Sequence, residues 1–130
     1  MVIDTSAVVA ILNQEPEARA MAESIERDPL RYISAANWLE AQMVMQGRLG
    51  SQGGFMLDAF FRELRVELVP LDAAHVHTAL GAWRRFGKGL HAANLNLGDC
   101  CAYATAVLKK QPLLFKGSDF PATDIPRVAY

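Results

Sequence analysis

Four acidic residues stand where a carboxylate is costly unless it has a task. Asp4 directly follows the apolar run Val2-Ile3, and Asp119 follows the run Leu113–Phe115 by a few residues. Ligands of open α/β sheets bind beyond the carboxyl ends of the strands, where both aspartates would then stand. Glu40 shares a helical face with Ala36, Met43, Val44 and Gly47 at the i, i+3, i+4 spacing. A carboxylate within that apolar stripe needs a partner, unless the face is partly exposed. Asp99 lines up in the same way with Ala102, Tyr103, Ala106 and Val107. Taken singly, the aspartates read equally as helix caps or Asx turns. Taken together, four converging carboxylates would repel one another and raise each other's pKa values, and a hard divalent cation removes that repulsion. Mg²⁺ suits such an all-oxygen site, whose chemistry is metal-assisted phosphodiester hydrolysis. No softer metal competes: His75, His77 and His91 lack zinc spacing, and the Cys100–Cys101 pair has no partner motif.

Composition bounds what can surround these acids. The chain has 130 residues, 52% hydrophobic and 21% charged, which predicts one folded domain and excludes a disordered tail. Thirteen Lys and Arg against 14 Asp and Glu leave a net charge of −1, so a polyanionic partner needs a local basic patch or a metal ion. Neighbouring cysteines rarely bridge, and a reducing cytoplasm fits. No basic leader region precedes the first apolar run, which Asp4 interrupts, and no apolar stretch is long enough to span a membrane.

The elements that must position the acids alternate in type. Strands are predicted at Met1–Ile3, Arg31–Ser34, Val66–Val69 and Leu113–Phe115, with a last one at Arg127–Ala129. Helices are predicted at Ser6–Leu12, from Pro16 through Arg27, and at Ala36–Leu49, Phe55–Leu64, Asp72 to Phe86 and Asp99–Lys109. Ser51–Gly54 reads as a polar, Gly-rich link, and Gly87–Leu97 as an irregular loop. Short strands alternating with helices imply an α/β fold with a mostly parallel sheet covered on both faces.

Met1-Val2-Ile3-Asp4-Thr5-Ser6-Ala7, Asn37-Trp38-Leu39-Glu40, Leu97-Gly98-Asp99-Cys100 and Leu113-Leu114-Phe115-Lys116-Gly117-Ser118-Asp119-Phe120 occur in this order along nearly the whole chain. In order, spacing and total length the sequence resembles the PIN-domain family, in particular the VapC-type toxins of type II toxin–antitoxin pairs. The resemblance implies a three-layer α/β/α sandwich with a short central parallel sheet. It also implies Mg²⁺- or Mn²⁺-dependent endoribonuclease activity and inhibition by a cognate VapB-type antitoxin. Asp4, Glu40 and Asp99 carry over as three acids of the site and Asp119 as the fourth. Ser118 stands where family members often have Asp or Asn, and Asp124 is an alternative ligand. Thr5 and Ser6 are candidates to orient metal-bound waters, although Thr5 could equally cap the first helix.

RNA needs cations. Arg84, Arg85, Lys88 and His91, at the end of one helix and in the loop leading to Asp99, form the candidate patch, with Asn94 and Asn96 as further donors and Lys116 as a second candidate. The alternative is that the cations only complement the negative end of the preceding helix. Trp83 reads as core or interface. Phe55, Met56, Leu57, Phe60 and Phe61 supply either core or an interface to a homodimer or the antitoxin. Two other functions are open to such a chain. One is a catalytically inactive PIN-like module that binds RNA or protein. The other is phosphotransfer on Asp4, for which a second acid two positions on would be wanted where Ser6 stands.

Overall fold

The computed structural model describes all 130 residues. Strands β1 (Val2–Ile3), β2 (Tyr32–Ser34), β3 (Glu67–Val69) and β4 (Leu113–Leu114) form one parallel sheet in the order β3-β2-β1-β4. Val2 pairs with Tyr32 on one side and Leu113 on the other. The chain thus leaves β1 in one direction and returns as β4 on the opposite flank. The crevice where ligands bind in such sheets therefore opens at the carboxyl ends of β1 and β4.

Side chains alternate across the strands and build two cores. Val2 and Leu113 face one, with Phe86, Tyr103, Phe115 and Phe120; Ile3, Ile33 and Leu114 face the other, with Met21, Ile25, Leu57 and Phe61. Helices α5 (Ala73–Phe86) and α6 (Leu97–Lys109) supply the first core, and α1 (Thr5–Leu12), α2 (Ala18–Arg27), α3 (Ala35–Leu49) and α4 (Ser51–Glu63) the second. This is the predicted α/β/α sandwich. No helix is long and apolar enough to cross a membrane.

Several sequence expectations are corrected. Ser51–Gly54 is not a link but the first turn of α4, and the connection is Gly50 alone, at φ 62°. Gly53 is there for packing: a Cβ on it would come 2.2 Å from the Met45 carbonyl oxygen of α3. Within α4, Leu57 and Phe61 enter the core, with the Phe61 ring 4.5 Å from that of Trp38, while Phe55 stays 69% exposed. The predicted last strand is only an isolated bridge between Arg127 and Leu113. Helix α6 begins at Leu97 and is capped by Asn96, not Asp99. Trp83 is half exposed, over a hollow shared with Leu80, Leu97 and Cys101.

Candidate active site

The residue at the end of β1 starts the site because it also starts α1. Asp4 is the N-cap of α1, and its Oδ2 accepts from the Ser6 backbone N–H (2.9 Å) and from the Ser6 hydroxyl. Ser6 Oγ in turn accepts from the Lys116 N–H (2.9 Å), which ties α1 to the segment leaving β4. Asp4 is only 4% exposed. Burial pushes its carboxyl up to about 6; the Ser6 bonds work against this, and the Asp99 and Glu40 charges add to it.

Glu40 stands on α3 but not in a buried stripe. The core face of that helix is Asn37, Ala41 and Met45, whereas Met43 is 68% exposed. The partner the sequence called for is a hydroxyl: Thr5 Oγ1 donates to Glu40 Oε2 at 2.6 Å. Gly98 makes room for this carboxylate at the first turn of α6, since a Cβ there would meet Glu40 Oε2 at 2.7 Å. Asp99 occupies the third position of α6 in a capping box, its Oδ2 accepting from Asn96 N–H (2.8 Å) while Asn96 Oδ1 accepts from Asp99 N–H (3.0 Å). Burial raises the Asp99 carboxyl, the Asn96 N–H opposes, and the charges of Asp119 and Glu40 raise it further. Asp119 is exposed, just ahead of the 3₁₀ turn Phe120–Ala122.

These four acids line one cavity of about 320 Å³ at the switch point. No basic side chain pairs with any of them. No three of them close on a common point as a ready-made cage. The donor set is nonetheless all oxygen: Asp99 Oδ1 and Glu40 Oε1 accept no hydrogen bond within the chain and Asp4 Oδ1 accepts only one, from Asn37 Nδ2, which fits a hard cation that keeps several waters. Thr5 and Ser6 donate their hydroxyls to Glu40 and Asp4.

Sequence reasoning missed the residue at the centre of this arrangement. Asn37 is fully buried, and its Nδ2 lies 3.2 Å from Asp4 Oδ1, Thr5 Oγ1 and the Gly98 carbonyl oxygen. Its own Oδ1 accepts from Ser34 Oγ, the N-cap of α3. One amide thus links the segments that carry all three buried or half-buried acids. The local signal was the capping spacing Ser34-x-x-Asn37. Arg48, two turns after Glu40, lines the cavity and was also missed.

The predicted basic patch lies apart. Arg84, Arg85, Lys88 and His91 do not line the cavity. Arg85 pairs with Asp124 at 2.7 Å, and the His91 ring packs on Phe86 and accepts from Ala93 N–H. Lys116 does line the cavity, but its Nζ is held by Glu15 and, at 3.0 Å, by Glu17. Asn96 caps α6, and Asn94 accepts from Gly89 N–H within its loop. Asp124 is not at the site: it accepts from Tyr103 OH (2.6 Å) as well as from Arg85. Both cysteines are buried, and burial pushes the Cys100 thiol up to about 11, which makes it inert.

An α/β/α sandwich with uncompensated carboxylates at its switch point defines a class of acid-lined hydrolytic fold. The PIN domain model matches residues 1–126. Ribonuclease VapC30 of Mycobacterium tuberculosis (strain ATCC 25618 / H37Rv) is 46% identical over 129 residues, 99% of this chain and 98% of that protein. Ribonuclease VapC of Mycolicibacterium smegmatis is 48% identical over 128 residues, 98% of this chain and 99% of that protein. Among solved structures, the sarcin–ricin-loop-cleaving toxin VapC20 of Mycobacterium tuberculosis superposes with a TM-score of 0.78 at 15% identity, covering 98% of this chain and 97% of that one. VapBC2 of Rickettsia felis, bound to a DNA fragment from its promoter, gives 0.75 at 18% identity, covering 98% and 96%; both show the shared fold. The chain belongs to the PIN-domain family, among its VapC ribonucleases.

Proposed function

We propose that this VapC-family ribonuclease is the toxin of a type II toxin–antitoxin pair, and that Asp4, Glu40, Asp99 and Asp119 hold a divalent cation, Mg²⁺ or Mn²⁺, for hydrolysis of an RNA phosphodiester. The observation that carries the site assignment is the buried Asp4 carboxyl, which shares one cavity with Glu40, Asp99 and Asp119 while no basic side chain pairs with any of the four. A folded chain keeps such repulsion where a ligand relieves it. A cation bound there supplies Lewis-acid activation of water and charge neutralisation at the phosphate.

The chain's own contribution is to hold the oxygens still. Ser6 fixes Asp4 Oδ2, Asn96 fixes Asp99 Oδ2 and Thr5 fixes Glu40 Oε2, which leaves Asp99 Oδ1 and Glu40 Oε1 free and Asp4 Oδ1 shared only with Asn37, each in a set orientation. Asn37 keeps the three segments in register. Asp119, at the exposed rim, completes the set in place of Asp124, whose oxygens are already taken. Retention of four carboxylates at this expense of repulsion favours an enzyme over an inactive binding module.

In this reading the chain acts as a single cytoplasmic domain, with RNA as substrate and a VapB-type antitoxin as partner. Exposed apolar side chains beside the cavity, Leu97 at 79% foremost, offer cover to that antitoxin or to a second copy in a homodimer. Arg84 and Lys88, exposed and unpaired, are the outer track for RNA. The test is a map of RNA ends after induction in cells. New ends are expected with wild type and none with Asp4→Asn; equal ends from both would refute the assignment of Asp4.

A further inference from the structure

The cavity repels the polyanion it is proposed to cut, and one cation at its edge is free to offset this. Two basic side chains share the lining with the four acids, Arg48 and Lys116. Lys116 is committed to Glu15 and Glu17. Arg48 is exposed and takes part in none of the chain's ion pairs. Its charge is felt by Glu15, whose carboxyl is held low mainly by the Lys116 and Asn13 hydrogen bonds, with Arg48 a small addition.

Other arginines differ in one respect or the other. Arg31 donates to the carbonyls of Ile25, Glu26 and Leu64, and Arg85 is paired with Asp124. Arg62, Arg65, Arg84 and Arg127 are unpaired but lie outside the lining. Arg48 alone is both unpaired and at the cavity.

Its placement is fixed by a helix. Glu40, Val44 and Arg48 follow one another at i, i+4, i+8 on α3, and all three line the cavity. Two helical turns separate the Glu40 and Arg48 backbones by roughly 12 Å. That span suits a phosphate further along the strand rather than the one at the carboxylates. A guanidinium with all its N–H groups available can grip such a phosphate through two parallel hydrogen bonds.

We infer that Arg48 binds a backbone phosphate of the RNA flanking the cleaved bond, and so forms a substrate subsite at the carboxyl end of α3. The inference rests on the ribonuclease reading above. Wild-type cleavage of the same oligonucleotide, lost in Asp4→Asn, tests that reading separately.

Binding is measured in the Asp4→Asn background with Ca²⁺, using a fluorescently labelled single-stranded RNA that wild type cleaves, over a series of NaCl concentrations. Adding Arg48→Ala should weaken binding roughly tenfold and flatten the log–log salt dependence by roughly 0.7. Arg48→Lys should keep the slope and recover only part of the affinity. Arg62→Ala, on α4 outside the lining, should change neither. In otherwise wild-type protein, Arg48→Ala should raise KM about tenfold and move kcat far less. Unchanged affinity and slope in Arg48→Ala would overturn the inference, as would an equal loss in Arg62→Ala. So would weakened Mn²⁺ binding, which would place Arg48 with the acids, or a loss confined to antitoxin binding, which would assign it to the protein partner.

Discussion

Helix α6 borders two groups of acids that differ in one property. At its first turn Asp99 faces Asp4, Glu40 and Asp119, and no basic side chain pairs with any of them. One turn further on, Tyr103 OH and Arg85 both donate to Asp124. The carboxyls of Asp4 and Asp99 are raised, by burial first, whereas that of Asp124 is lowered, by Tyr103 first and then Arg85. An acid satisfied from within the chain is part of the scaffold. Acids left uncompensated mark where something from outside binds.

The sharpest way to break this comparison is to neutralise one member of each group. Asp4→Asn should lower RNA cleavage by at least about 1,000-fold, as expected for a group that acts with its neighbours as a unit. Asp124→Asn should leave the rate within a few-fold. Similar losses in both would erase the distinction; gel-based cleavage kinetics decides.

The second effect is on stability, and it has opposite signs in the two groups. Asp4 has an ordinary value of 3.8 that burial raises to about 6. Its protonated form therefore favours the folded state below pH 3.8, and that contribution is lost as pH rises through about 6. In chelator, wild type should lose about 2 kcal/mol between pH 4 and 7 from this group, and Asp4→Asn should not. Asp124, with its lowered value, adds stability above its ordinary range that is lost on acidification. Urea unfolding across pH reads both.

Smaller again is the expected effect of Asn37→Ala. The amide anchors acids without binding the ion itself, so Mn²⁺ affinity per folded molecule should fall about 10- to 100-fold. Asn37→Ser, which keeps a donor, should recover part of it. A lowered melting temperature with unchanged Mn²⁺ affinity would make Asn37 purely structural. Smallest is Arg85→Ala, which removes an exposed pair and should barely move the melting temperature.

What the sequence made legible was local. Asp4 after an apolar run, Asp99 at a helix start and the alternation of strands and helices are readable because each depends on its immediate neighbours. That Asp119 lines the cavity and Asp124 does not was not readable, because Asp124 is held away by Tyr103 and Arg85, far away in the chain. Asn37 was overlooked for the same reason: it touches Asp4 across 33 residues and Gly98 across 61. Gly53 and Gly54 misled because glycine reads as a break, whereas here it admits α3 against α4. Glu40 lines the cavity, but not from the buried stripe expected: its face is half open and its partner is Thr5.

The central claim is that the uncompensated carboxylates form a divalent-cation site, and calorimetric titration of Mn²⁺ into wild type, Asp99→Asn and Asp124→Asn tests it most directly. Wild type and Asp124→Asn should bind alike, and saturation at about 100 times Kd should stabilise each by about 2.7 kcal/mol, seen as a rise of several degrees in melting temperature. Asp99→Asn should bind at least about tenfold more weakly. Equal binding by wild type and Asp99→Asn, or a loss in Asp124→Asn instead, would contradict the account.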